Sequence, residues 1–352
     1  MGSADIIPGV SGGTIALITG IYDRLINAVR SVNKKAIISL FTFRIQELFE
    51  TFHWRFVLIL FCGILTAVIF FTRIVPLQVY MFTDPELIYG LFFGLILGSV
   101  FVLLKEIRHE DRGFKTLTPL VLGTLFGYWV VTLVPTDTPE TFWFVFSSGI
   151  LAFCALIVPG ISGSYILLIL GKYDYVLSNL GLIGNEQTLE AAWALLPLFL
   201  GGAVGLAFFS RILSWLLRHY HMVTLMVLIG FLIGSLYVIW PYQERDFRED
   251  VVRIELYEIS DPLVQSLKAE TQDTNRPSYL RLGEIVSPED ETTGPEKIEV
   301  ETVTRTMVTA QPFIPELTGE KSRNEYSLWG GIFGLITGLI LVSGIDYLRV
   351  KK

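Results

Sequence analysis

Cysteine is nearly absent: Cys62 and Cys154 are the only two in 352 residues, and both lie inside apolar runs. That excludes a disulfide framework or a thiolate metal site, and the pair read as small buried hydrophobes. Histidine is almost as scarce. His53, His109, His219 and His221 fall in polar loops or at the ends of apolar runs, outside any Ser/His/Asp, metal-ligand or phosphatase arrangement. The reading is therefore not an enzyme and carries no metal or cofactor. Charge is thin as well, at 17% of residues against 52% hydrophobic, with a mean hydropathy of +0.55. A soluble domain of this size rarely shows that balance, so the chain reads as an integral membrane protein. The net charge of -7 arises in residues 241–326, which hold 19 acidic and 10 basic side chains. The remainder is slightly basic in short loops that suit membrane orientation, which leaves no case for nucleic acid.

Long apolar runs are what the chain has instead. Six plain ones cover residues 56–74, 86–104, 117–134, 193–217, 222–240 and 327–345, each matching a helix across the roughly 30 Å hydrocarbon layer. A seventh, 142–171, is interrupted by Pro159-Gly160 and Ser162-Gly163-Ser164. The same interrupted segment opens the chain over residues 1–23. Pro8, Gly9, Ser11 and Gly12 align with Pro159, Gly160, Ser162 and Gly163, and Gly20, Tyr22 and Asp23 align with Gly171, Tyr173 and Asp174. The repetition extends further: FFTR (Phe70–Arg73) matches FFSR (Phe208–Arg211), GLILGS (Gly94–Ser99) matches GFLIGS (Gly230–Ser235), and GTLFG (Gly123–Gly127) matches GGIFG (Gly330–Gly334). Residues 1–141 form one repeat, and 142–240 with 327–352 form the other. The first copy lacks the apolar arm that precedes the second, so an arm upstream of Met1 is expected.

Each repeat holds one broken element and three spans. Three crossings reverse the direction of entry, so the halves are inverted repeats. Counting Lys and Arg agrees: the loops 24–55, 105–115 and 211–219 and the tail Arg349, Lys351 and Lys352 are basic, and topology puts them all on one side. The agreement requires each broken element to be re-entrant, dipping in and returning to its own face. Residues 24–55 read as an amphipathic helix at the membrane surface. The 241–326 insertion falls on the opposite, external side, with VVRIELYEI (Val251–Ile259) and KIEVETVTRTMV (Lys297–Val308) as strands. The expected fold is all-α and polytopic, with a small β-rich external insertion.

A Pro-Gly break inside an apolar segment ends one half-helix and starts another, whose unpaired N–H groups and positive dipole end point into the membrane interior. Such an end suits an anion. Ser11 and Ser162 are candidate N-caps, Gly12, Gly13, Gly163 and Ser164 let a ligand approach the backbone, and Thr14 adds a hydroxyl. Arg73 and Arg211, equivalent across the repeat, are candidate charge partners, although an Arg closing an apolar run often serves as a snorkelling anchor. Asp5, Asp23 and Asp174 are candidates for coupling to a proton or sodium gradient, the last two fitting helix capping better. The competing reading of the glycines is close helix packing alone.

PGVSGGT at Pro8–Thr14, GIYDRLI at Gly20–Ile26, PGISGS at Pro159–Ser164 and GKYDYVL at Gly171–Leu177 closely resemble the PopT-type polyprenyl-phosphate transporters. The resemblance covers the chain except the insertion. It implies a bacterial cytoplasmic-membrane protein that returns undecaprenyl phosphate to the inner leaflet for envelope synthesis, with this lipid as its partner. Its alternatives are an ion-coupled symporter of a small soluble anion and a lipid-pyrophosphate phosphatase.

Overall fold

The computed structural model describes residues 1–2, 11–31, 42, 54–75, 77–107, 113–133, 136, 138–182, 187–269, 278–286, 297–315 and 326–351. Asp5, Pro8 and Gly9, and most of the expected surface helix over 24–55, lie outside the described residues. Two short helices come first, α1 (Gly12–Ile18) and α2 (Tyr22–Ser31). They are followed by α3 (Trp54–Ile69), which ends in a π-helical turn at Phe70–Ile74, α4 (Leu77–Thr83), α5 (Pro85–Glu106) and α6 (Phe114–Val131). The chain continues with α7 (Phe142–Ile157), α8 (Gly163–Ile169), α9 (Tyr173–Gly181), α10 (Thr188–His219), α11 (His221–Ser235) and, after the insertion, α13 (Leu328–Val350). Three described helices are long and apolar enough to cross a membrane, Pro85–Lys105, Thr188–His219 and Leu328–Leu348. Four shorter apolar ones accompany them, at Trp54–Ala67, Thr116–Val131, Phe142–Ile157 and His221–Ser235. The chain is a mostly helical membrane protein.

Lipid offers no hydrophobic drive between helices, so these associate through close backbone approach at small residues. A Cβ added at Gly94 would lie 2.2 Å from the Leu335 carbonyl oxygen, and one at Gly338 would lie 2.3 Å from that of Leu91, so α5 and α13 touch backbone to backbone. The pair α6 and α11 meets the same way: a Cβ at Gly123 would sit 2.5 Å from Val227 O, and one at Gly230 would sit 2.4 Å from Leu120 O. The segments expected as second spans, α5 and α11, thus pack on those expected as third spans, α13 and α6. A third crossing, α7 on α10, is closed by Gly149 and Gly201.

The polar insertion is a three-stranded antiparallel sheet, ordered β1-β3-β2, built from β1 (Gln243–Glu258), β2 (Ser278–Val286) and β3 (Lys297–Pro312). One helix, α12 (Pro262–Ala269), covers it over a small core of Val264, Ile298 and Val300. The two strands expected from alternation are β1 and β3; β2 and α12 are additional. The appendage is tied down at its root, where the Arg245 guanidinium lies 3.9 Å from the centroid of the Tyr89 ring at the head of α5. Burial pulls that guanidinium below its ordinary range, and Tyr89 and Glu86 act against the shift. Arg245→Ala is expected to cost about 1–2 kcal/mol and to speed proteolysis of the sheet before the spans unfold, while Arg245→Lys keeps part of the effect.

Candidate functional site

After its Ser-Gly pair each copy of the motif forms a seven-residue helix, α1 or α8, then a glycine of positive φ, Gly20 or Gly171, and a second short helix, α2 or α9. In the second copy α7 stops at Ile157, the chain turns through Val158–Ser162, and α8 runs back beside α7. A Cβ at Gly163 would be 2.6 Å from Ala152 O, so only glycine lets the returning helix lie this close. Beyond α8 the chain meets the segment that precedes α7. There Thr136 N–H donates to Ile169 O at 3.0 Å, Thr138 Oγ1 donates to Leu170 O, and Lys172 Nζ donates to Thr138 O at 2.7 Å. Residues 169–172 therefore sit beside the segment that leads into α7. Glycine is required at the turns for backbone reasons: Gly160 has φ +85°, and Gly20 and Gly171, which follow the short helices of the two copies, have φ +70° and +60°. At Gly160 space is short too, since a Cβ would come within 2.9 Å of the Phe231 backbone in α11.

The two copies touch each other. Gly160 N–H donates to Thr14 Oγ1 at 3.0 Å, Ser11 Oγ donates to Val158 O at 3.3 Å, and the Tyr22 hydroxyl donates to Ile157 O at 3.0 Å. All three bonds are buried, with Thr14 only 1% exposed. The carbonyls of Ile157 and Val158 are those that a helix broken by Pro159 leaves without their usual donors. The first copy supplies donors, and the second returns one through Gly160.

The sequence-predicted residues divide accordingly. Ser11 is the N-cap of α1, its hydroxyl accepting from Gly13 N–H at 3.2 Å. Ser162 stands in the equivalent place without a capping bond; its hydroxyl instead shares a 2.8 Å hydrogen bond with that of Ser164. Gly12, Gly13, Pro159, Gly160 and Gly163 are buried, and Ser164 is half-buried. A Cβ at Gly13 would be 3.0 Å from Ile157 O, so on that side both Gly13 and Gly163 face protein, as close packing requires. Asp23 and Asp174 are second residues of α2 and α9, not N-caps, and favour the positive ends of those helices from inside the first turn. Asp174 lies 4.0 Å from Arg248 of the insertion. Arg73 belongs to the π-helical turn that ends α3, and its side chain is outside the described set. Arg211 is exposed in mid-α10 and bonds Ala207 O of its own helix, the posture of a snorkelling anchor.

The family model that matches this chain over residues 1–251 is described as undecaprenyl phosphate translocase-like. The chain belongs to this family. Members of known name include a polyprenyl-phosphate transporter of Vibrio cholerae serotype O1, 41% identical over 245 residues that cover 69% of this chain and 76% of the relative. A polyprenyl-phosphate transporter of Staphylococcus aureus is 29% identical over 255 residues, covering 68% and 83%. No solved structure matches. The span matched to the family contains both motif copies and their mutual hydrogen bonds, and stops within β1.

Sequence reasoning missed two groups at the family's motif. Tyr22 was matched to Tyr173 as part of the repeat, but its donation across to Ile157 has no signal in a single copy. Lys172, from the polar end of GKYD, is 1% exposed, with Nζ 5.6 Å from the Phe144 ring centroid. A lysine after a helix-ending glycine reads as solvated, and only the fold-back of α8 encloses it.

Proposed function

We propose that this protein carries undecaprenyl phosphate across the bacterial cytoplasmic membrane between leaflets, so that the lipid carrier re-enters envelope synthesis. The observation that carries the reading is the buried contact between the two motif copies, in a family whose named relatives are polyprenyl-phosphate transporters. The halves are inverted repeats in this reading, and the reciprocal pairing of second and third spans supports that, because a two-fold axis in the membrane plane produces such an exchange. Each broken element is re-entrant, supported for the second copy by the bonds from residues 169–172 back to 136–138. The external side then holds the insertion.

The substrate has one small anionic head and a long apolar tail, so only the head needs shelter. The hydroxyls of Ser11, Thr14, Ser162 and Ser164 and the backbone of Gly12, Gly13 and Gly163 line its passage at mid-depth. Pro8, Gly9, Pro159 and Gly160 shape the breaks, and Arg73 or Arg211 acts as charge partner nearer the surface. The tail remains in lipid. An apolar cavity of about 600 Å³, walled by Phe101, Leu104, Leu117, Leu120 and Met226 with Lys105 at its edge, suits a prenyl chain better than a hydrated ion. A proton or sodium gradient drives the cycle in this scheme, with Asp5, Asp23 or Asp174 as the coupling carboxylate.

The test is reconstitution. Proteoliposomes holding the purified protein should exchange undecaprenyl phosphate between leaflets, and a leucine at Ser164, half-buried beside Ser162, should slow that exchange at least tenfold. Uptake of inorganic phosphate into the lumen without lipid exchange would replace this reading with a soluble-anion symporter, and release of phosphate from a lipid pyrophosphate would replace it with an enzyme.

A further inference from the structure

Two arginines from opposite halves of the chain meet at one buried hydroxyl. Arg30, in the last turn of α2, places Nη1 3.2 Å from Ser214 Oγ, and Arg218, one turn beyond Ser214 on α10, places Nη2 3.4 Å from the same oxygen. Arg218 Nε also donates to Ser214 O at 3.1 Å. The two guanidinium nitrogens are therefore no more than 6.6 Å apart (3.2 plus 3.4 Å). Ser214 is only 3% exposed, and Ser210, one turn deeper on the same face of α10, is fully buried. Among the described residues no carboxylate pairs with either arginine.

Arginines that only anchor a helix at the interface extend apart into water or lipid headgroups. These two are drawn together, with like charges near each other and no acid between them. The hydroxyl at their meeting point already accepts from both, and its own proton has no acceptor among the described residues. The cluster is thus an array of donors with two positive charges, which an oxyanion would complete. A phosphate monoester carries about -1.5 to -2 charge at pH 7 and three acceptor oxygens, and arginine forks match such oxygens in bidentate fashion.

We infer that Arg30, Arg218 and Ser214 form a phosphate-monoester site at the basic face, where the headgroup of the transported lipid is held after leaving, or before entering, the buried contact of the two motifs. The lipid assignment rests on the function proposed above; the anion site itself does not. Position supports the sequence of steps. α2 starts at Tyr22, bonded to Ile157 of the second motif, and Arg30 is eight residues on, ~12 Å along the helix axis. On α10, Ser210, Ser214 and Arg218 recur at every fourth residue and form a polar stripe along one face.

The experiment measures binding by the full-length protein in detergent to three probes: undecaprenyl phosphate, undecaprenol and sodium phosphate. Arg30→Gln with Arg218→Gln should weaken undecaprenyl phosphate binding at least tenfold and leave undecaprenol binding unchanged. Arg30→Lys with Arg218→Lys, which keeps charge and loses the fork, should fall between, and this pair with Ser214→Ala decides the matter if the glutamine variant does not fold. Equal affinity for undecaprenyl phosphate in wild type and all variants overturns the site. Arginine-dependent binding of sodium phosphate, with lipid binding unaffected, overturns the headgroup assignment. Arginine-dependent lipid binding in a wild-type protein that exchanges no lipid between leaflets upholds the site and sinks the transport reading instead.

Discussion

Gly201→Leu is expected to cost the protein roughly 3 kcal/mol or more, enough to empty the monodisperse peak of a detergent extract, whereas Gly63→Leu changes its melting by no more than about 0.5 kcal/mol. Both glycines lie in apolar helices, and hydropathy does not distinguish them. Their surroundings do. A Cβ at Gly201 would lie 1.9 Å from the Phe146 carbonyl oxygen and 2.8 Å from its carbon, while a Cβ at Gly63 meets nothing within 4 Å. The neighbour at Gly201 is backbone, which has no rotamer to change, so α7 and α10 must separate along the crossing. The reciprocal glycine, Gly149, is held 2.2 Å from Leu198 O, so Gly149→Leu should behave like Gly201→Leu. A melting series on the three variants decides this, and equal loss at Gly63 and Gly201 would mean that the crossing does not hold the second half together.

That contrast also marks how far the sequence could be read. The apolar helices were legible because each is an apolar run, and the insertion because its charge and alternation differ from everything around it. Helix register was not. The matched strings set Gly94 against Gly230 and Gly123 against Gly330. The packing sets Gly90 against Gly334 and Gly94 against Gly338 where α5 meets α13, and Gly123 against Gly230 and Gly127 against Gly234 where α6 meets α11. Glycines recurring every four residues fit either register until a partner helix is present to choose.

Arg73 and Arg211 show the complementary limit. Their strings are nearly identical, but Pro76 follows Arg73 within three residues and α3 loosens into a π-helical turn there, whereas α10 continues from Arg211 to His219 without a break. Within the second copy of the motif the sequence located the break and its small residues. It did not show that the freed carbonyls of one copy are satisfied by the side chains of the other, since that pairing joins residues 135 to 147 positions apart. Likewise β2 and α12 carry weaker alternation than their neighbours and become structure only against β3 and the Val264 core.

The cross-motif pairing leads to the second large effect. Thr14→Val keeps volume and shape but removes the oxygen that accepts from Gly160 N–H. That N–H is buried in a turn fixed at φ +85° and pressed against the Phe231 backbone, so it has no room to swing toward another acceptor. Leaving a buried donor unsatisfied costs about 1–3 kcal/mol. If the two motifs must separate and re-pair as the headgroup passes between them, that loss falls on the transport cycle as well as on the fold. At about 1.4 kcal/mol per factor of ten in rate, Thr14→Val should slow leaflet exchange of undecaprenyl phosphate roughly tenfold in proteoliposomes. Thr14→Ser retains the hydroxyl and should recover most of the rate. Should serine prove as slow as valine, the methyl group and its packing would be what matters, and the hydrogen bond between the motifs would have no part in carriage.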